Sequence, residues 1–215
     1  MPKDDWFRRE TWSREDQAEF ERRLARSRPT SRAQYLRIQA VHLLQTRMPE
    51  LLRAALTLLD RVVTEYPKDL QAALALTDRA KCLLALGEWP AAAEAFRAAL
   101  AAETTFPSVR SDAYLSLAFE VVTRNDRVLF DEVSRVCFAH ASEPRPFPVQ
   151  QFRWHAVQAL LADAEQNTEV ARTEASAALA AAAASESGFR YHRTLGLVRC
   201  VPREIEKRLR RLAIG

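Results

Sequence analysis

The side chains able to do chemistry in this 215-residue chain are scattered, and their spacing argues against a local catalytic or metal motif. The four histidines, His42, His140, His155 and His192, lie far apart, and no His-x-x-x-His, His-Glu-x-x-His or Cys-x-x-Cys spacing occurs. Those spacings are what place two ligands on one helical face or one turn around a metal. Cys82, Cys137 and Cys200 are odd in number, widely separated and embedded in apolar segments. They are expected to be small buried thiols of a reducing compartment. No serine or cysteine sits in a nucleophile context, and no carboxylate pair stands apart from ordinary helix-surface charge. The chain is expected to be a non-enzyme with no cofactor and no metal.

Two stretches could bind rather than catalyse. Ser187-Gly188-Phe189-Arg190-Tyr191-His192 carries an arginine, two aromatics and a histidine beside a glycine. It reads either as a loop that presents Arg190, Tyr191 and His192 to an anionic group or partner peptide, or as a C-terminal cap with Phe189 and Tyr191 packed inward and Gly188 ending a helix. The second stretch is the tail. Residues 185–215 hold eight Arg and Lys against three Glu, a net +5, whereas the whole chain carries +4. That is either a phosphate-binding patch for nucleic acid or the solvated face of an amphipathic helix. On a helical wheel Arg203, Lys207, Arg210 and Arg211 fall largely opposite Ile205, Leu209 and Leu212.

The elements that would position these residues are helices. Only four glycines occur, and Gly87 is the single one before residue 188. Phosphate loops, dinucleotide fingerprints and nucleophile elbows all need glycine where backbone meets ligand, so they are excluded. No window approaches 18 consecutive apolar residues, and the charged N-terminus shows no signal peptide, so a cytoplasmic location is expected. Arginine greatly outnumbers lysine, as in a GC-rich bacterial genome.

Proline and capping residues divide the chain. Ser13, with Asp16 at the capping-box position, opens a helix over 14–27 that Pro29 ends. Ser31 caps 32–46. Pro49 suits the first turn of 48–65, and Asp69 caps a helix to Leu86. Pro90 opens a fifth helix that stops before Pro107. Helices follow over 109–123, 127–141, 149–164 and 168–185, with a basic helix after Pro202. Apolar residues recur at three and four throughout, as in Leu56, Leu59, Val62, Val63 and Tyr66. No segment alternates with period two, so no sheet is expected.

Helix pairs start near 31, 69, 109 and 149, a period of about 40 that marks a solenoid of helical hairpins. Residues 73–106 carry Ala80 and Leu83 on one helix, Gly87-Glu88-Trp89 at the turn, and Ala92, Phe96 and Ala99 on the next. This unit resembles a tetratricopeptide repeat (TPR). Arg79 and Thr104 depart from the pattern, and the proline arrives three residues late, at Pro107. The other pairs fit by pattern only, and Phe130 stands where a small residue belongs. The resemblance implies a right-handed all-α solenoid of antiparallel helix pairs, about nine to ten helices, whose first helices line a concave groove. By helix position that groove would present Arg37, Gln39, Asp78, Arg79 and Glu120.

The expected organisation is an N-terminal capping segment over 1–30, the array over 31–186, and a loop with a basic capping helix over 187–215. The expected function is protein–protein interaction, as an adaptor or regulatory subunit that holds an unidentified protein or peptide segment in the groove, with no membrane association. Nucleic-acid binding through the tail is the alternative. A further alternative is self-association through exposed Trp6, Phe7 and Trp12. Sequence leaves the oligomeric state open.

Overall fold

The computed structural model describes residues 5–214, and every regular element among them is helical. Ten α-helices follow in order: α1 Arg14–Arg26, α2 Pro29–Gln45, α3 Pro49–Glu65, α4 Gln71–Ala85, α5 Trp89–Thr105, α6 Ala113–Arg124, α7 Phe130–Ala139, α8 Pro148–Ala164, α9 Thr168–Ala182 and α10 Arg203–Ile214. Short 3-10 turns at Asp5–Phe7 and Arg127–Leu129 precede α1 and α7. The chain divides into two compact units, the first ending at Ala113 and the second beginning at Tyr114.

In the first unit α2 packs on α3, α3 on α4 and α4 on α5, while α2 also touches α4. Consecutive helices thus form hairpins, and the first helices of successive hairpins lie side by side, a helical-repeat arrangement. Leu36, Ala40 and Leu43 of α2 meet Leu52, Ala55, Leu59 and Val62 of α3 in the core. Ala80, Leu83, Ala92, Phe96 and Ala99 are all buried along α4 and α5. The alanines permit close approach, and full burial of a side chain such as Phe96 stabilises by roughly 2–3 kcal/mol.

The repeat is written in the backbone of the turns. Residues 46–48, 86–88 and 165–167 each join two packed helices in three residues. Each turn has one residue in the left-handed region: Arg47 (φ 61°), Gly87 (φ 82°) and Gln166 (φ 61°). Asn125 (φ 54°) does the same after α6. These four positions recur at intervals of 40, 38 and 41 residues. After three of them the next N–H returns to a carbonyl five residues back, Glu88 to Leu83 at 2.9 Å, Asp126 to Val121 at 3.0 Å and Asn167 to Ala162 at 2.9 Å. That bond satisfies a helix-end carbonyl that would otherwise have no partner.

Several helix ends differ from expectation. Pro29 does not close α1. It opens α2 from the first helical position, where its missing N–H costs nothing, and Arg28 precedes it in place of Ser31. Ser13 caps α1 as expected, with the Asp16 carboxylate returning to the Ser13 N–H at 3.0 Å. The carboxylate of Asp69 accepts the Gln71 N–H at 2.8 Å and starts α4. α6 begins at Ala113 rather than 109, because Ser111 is held elsewhere: its N–H and hydroxyl both donate to the buried Glu103 carboxylate. The Thr77 hydroxyl donates to Ser111 at 2.8 Å. α9 ends at Ala182, three residues early.

The N-terminal aromatics are not an exposed patch. Phe7 is buried, and Trp6 and Trp12 are half-buried. Trp6 lies 5.2 Å from Phe7, 5.4 Å from Phe20 and 5.0 Å from Tyr35 of α2, and Trp12 lies 5.3 Å from Phe20. Self-association through these rings would require the first unit to open, since their area is already spent on α2 and on one another.

In the second unit α8, α9 and α10 pack mutually. Phe119 of α6 meets Phe152 of α8 edge-on at 5.8 Å. Ile205 and Leu209 of α10 are fully buried, and the half-buried Arg208 donates to the Val122 carbonyl at 2.9 Å, at the C-terminal end of α6. Cys82 and Cys137 are buried as expected, whereas Cys200 is exposed, because it sits in the irregular connector before α10.

Candidate functional site

The residues expected to line a groove are engaged within the chain. Arg37 of α2 and Asp78 of α4, 41 residues apart, form an ion pair at 2.8 Å. The second carboxylate oxygen of Asp78 takes Lys81 at 3.2 Å, and Arg37 also donates to Gln71 at 3.2 Å. Asp78 is buried, so this cluster is a tie between neighbouring first helices. Its geometry satisfies the condition under which a buried charge is tolerated, a close partner with further hydrogen bonds.

Gln39 is 0 % exposed. Its amide accepts the Arg9 N–H at 3.1 Å and donates to the Arg9 carbonyl at 2.7 Å. It is a clasp on the N-terminal segment and lines no surface. The Arg9 guanidinium continues the clasp to Asp16 and Glu19. Burial pushes the Asp16 carboxyl up, but the Ser13 N–H, the Thr11 hydroxyl and Arg9 together hold it below its ordinary value. Arg79 reaches Asp60 of α3 at 2.7 Å, and Glu120 pairs with Arg124 one turn along α6 at 3.2 Å.

The loop after α9 departs from the cap reading at two points, since Tyr191 is exposed and α9 ends at Ala182, so Gly188 does not close a helix. Its base is closed: the Ser187 N–H donates to the Arg193 carbonyl at 2.7 Å, and the Ser187 hydroxyl to the His192 carbonyl at 2.8 Å. Phe189 stacks on Phe147 at 5.1 Å. The Val149 N–H at the start of α8 donates to the Gly196 carbonyl at 2.8 Å, and a Cβ on Gly196 would stand 2.5 Å from the Phe147 ring. Arg190, Tyr191 and His192 form the exposed tip, with Tyr191 82 % exposed and the Arg190 guanidinium over its ring at 5.4 Å. The basic tail is partly spent inside the unit. Arg208 holds α6, Arg210 pairs with Glu206 at 2.7 Å, and Arg211 approaches Asp163 at 3.9 Å.

Sequence reasoning missed a cleft in the second unit. It encloses about 260 Å³ and is lined by Ser134, Cys137 and Phe138 of α7, Trp154, Gln158 and Leu161 of α8, and Val170 of α9. Trp154 is fixed from one face by Arg145, whose guanidinium carbon lies 3.4 Å from its ring centre. Arg145 in turn donates to the carbonyls of His140 at 2.7 Å, Ala141 at 3.2 Å and Glu143 at 2.9 Å, a cation at the C-terminal end of α7 where the helix dipole favours it. Behind this lies His140, stacked on Tyr114 at 4.4 Å and bonded through Nδ1 to Glu143 at 2.8 Å.

Burial pushes the Cys137 thiol up to about 12, so it is protonated at neutral pH and a poor nucleophile. The Gln158 Nε2 is buried with no acceptor among the described residues. The lining mixes apolar surface from Phe138, Trp154, Leu161 and Val170 with polar surface from Ser134, Gln158, Glu165 and Asn167. Among the described residues no group of three or more His, Cys, Asp or Glu stands ready to hold a metal, and no helix is long and apolar enough to cross a membrane. No family model, curated protein or solved structure matches the chain.

Proposed function

We propose that this chain is a protein–protein interaction scaffold, an adaptor or regulatory subunit of a bacterial cytoplasm and not an enzyme, that seats an apolar anchor of a partner's helical or extended segment in the α7–α8–α9 cleft. The observation that carries the reading is the cleft itself, with Trp154 pre-set by Arg145. A preformed aromatic wall lowers the ordering cost of binding, and an anchor side chain in such a pocket supplies most of the affinity. A volume of about 260 Å³ accommodates one large side chain. The helical-repeat arrangement supports the reading, as does the TPR-like hairpin over 73–106, because stacked hairpins commonly present extended binding surfaces.

The test is photo-crosslinking in the native host with a benzophenone side chain at position 170, on the rim of the cleft, and at position 22 on α1 as a remote control. A discrete adduct is expected from position 170 alone, lost when Ser134→Arg fills the cleft with the helical signal unchanged. An adduct indifferent to Ser134→Arg, or none from the cleft, overturns the reading.

A further inference from the structure

The outer side of α7 takes no part in the core, and its residues are patterned; one of them, Phe138, also borders the cleft. α7 turns Phe130, Val133 and Cys137 inward. Away from that face, Val128, in the 3-10 turn leading into α7, and Asp131, Arg135 and Phe138 follow at spacings of three, four and three, which places them on one helical stripe. All four are exposed, Val128 by 89 % and Phe138 by 85 %. Isolated exposed apolar residues are ordinary. Two of the most exposed large apolar side chains of the chain, bracketing an acid and a base on one stripe, are a pattern. Among the described residues neither Asp131 nor Arg135 has an ion-pair partner, and the Arg135 guanidinium reaches only the Asp131 backbone carbonyl, at 3.2 Å.

The stripe reads apolar, acidic, basic, apolar, and it is palindromic about position 133. A two-fold axis through that point exchanges 128 with 138 and 131 with 135. We propose that this stripe is the interface between two copies of the chain, with α7 packed antiparallel on α7 of the second copy. Each Val128 then meets a Phe138, and each Asp131 an Arg135, so that both contacts form twice. This is the isologous contact that a two-fold dimer requires, the same patch on both subunits complementary to itself. Parallel pairing is disfavoured, because it sets Asp131 on Asp131 and Arg135 on Arg135. The stripe spans only ~15 Å of helix, so the interface is small and the dimer is in the weak, concentration-dependent class. The stripe shares Phe138 with the rim of the cleft, whereas Asp131 and Arg135 lie outside it, so charge changes at those two positions test the dimer separately from the cleft.

Sedimentation velocity on the full chain at low salt, up to ~300 µM, tests this in the weak-affinity range. The expected result is a shift from the 24.4 kDa monomer toward a species of twice that mass as concentration rises. D131R alone makes the stripe wholly basic and R135D alone makes it wholly acidic. Each is expected to weaken dimerisation at least tenfold, with helical content and melting temperature preserved because both sites are exposed. An equimolar mixture of the two variants restores the dimer, since each basic stripe then faces an acidic one. A wild-type monomer at the highest concentration, single variants that dimerise as well as wild type, or a mixture that fails to recover overturns the proposal.

Discussion

Replacement of Gln39 by leucine tests whether the N-terminal segment is integral to the first unit. Leucine matches the glutamine in size and suits a fully buried site, so the substitution leaves no large cavity. What it removes is the pair of hydrogen bonds to the Arg9 backbone, at 3.1 and 2.7 Å. The Arg9 N–H and C=O are then left without their partner. An orphaned buried group costs ~1–3 kcal/mol. Arg9 keeps some solvent access, with a side chain 24 % exposed, so the lower half of that range applies to each group and the pair sums to about 2–4 kcal/mol. For a chain of this length a kilocalorie moves the melting temperature by ~2–4 °C, which gives a fall of roughly 4–16 °C. Circular dichroism measures it. Trypsin supplies the local readout, because Arg8 and Arg9 lie at the clasp and cleavage there is expected to accelerate before any global unfolding. A melting temperature within ~2 °C of wild type together with unchanged trypsin cleavage would refute the clasp.

Four other outcomes follow from the structure. Gly196→Ala is expected to destabilise the second unit by ~1–3 kcal/mol in urea denaturation, because the added methyl meets the Phe147 ring at 2.5 Å and the residue has φ +70°. Gln166→Gly relieves a left-handed residue at φ 61° and is expected to stabilise by up to ~1 kcal/mol, so equal effects of the two changes would count against the turn geometry. A thiol reagent at pH 8 is expected to label Cys200 alone in the folded chain and all three cysteines after denaturation, since burial pushes Cys82 and Cys137 up to about 12; rapid labelling of two or three would contradict that burial. Finally, the Asp16 carboxyl is held below its ordinary 3.8, so its contribution is complete above that value and is lost as pH falls through its lowered pKa. Asp16→Asn is expected to flatten the acid limb of the stability curve below pH 3.8, and an unchanged limb would exclude this carboxylate from acid unfolding.

How far the fold could be read beforehand depended on whether each signal was local. Pro49 and Pro90 fell in the first turns of α3 and α5, because a missing N–H is a property of the residue itself, whereas Pro148, which reads as part of a break before 149, is the first residue of α8. Gly87 was legible as a turn for the same reason. Its counterparts Arg47, Asn125 and Gln166 were not, since an arginine or glutamine in the left-handed region carries no compositional mark, although the 40-residue period implied such turns. The candidate site was harder. Arg37, Gln39 and Asp78 were recognised as polar residues on first helices, but their partners lie 30 to 41 residues away in sequence, and those partners turn Arg37 and Asp78 into a tie and Gln39 into a clasp. The cleft was overlooked because Phe138 and Trp154 look like core aromatics. One signal was available: Phe138 is out of phase with Phe130, Val133 and Cys137, which already complete the buried face of α7.

The tied base of the loop after α9 has a use in protein engineering. Residues 187 and 193 are joined by a hydrogen bond of 2.7 Å between their backbones, so the chain leaves and re-enters the second unit at nearly one point. Arg190, Tyr191 and His192 lie outside that point, exposed to solvent. An inserted domain whose own termini lie close together meets the same spacing, and exposed loop tips are where insertions are best tolerated. A fluorescent reporter or an affinity epitope could be carried at Tyr191 while Phe189 and Gly196 keep their hold on Phe147.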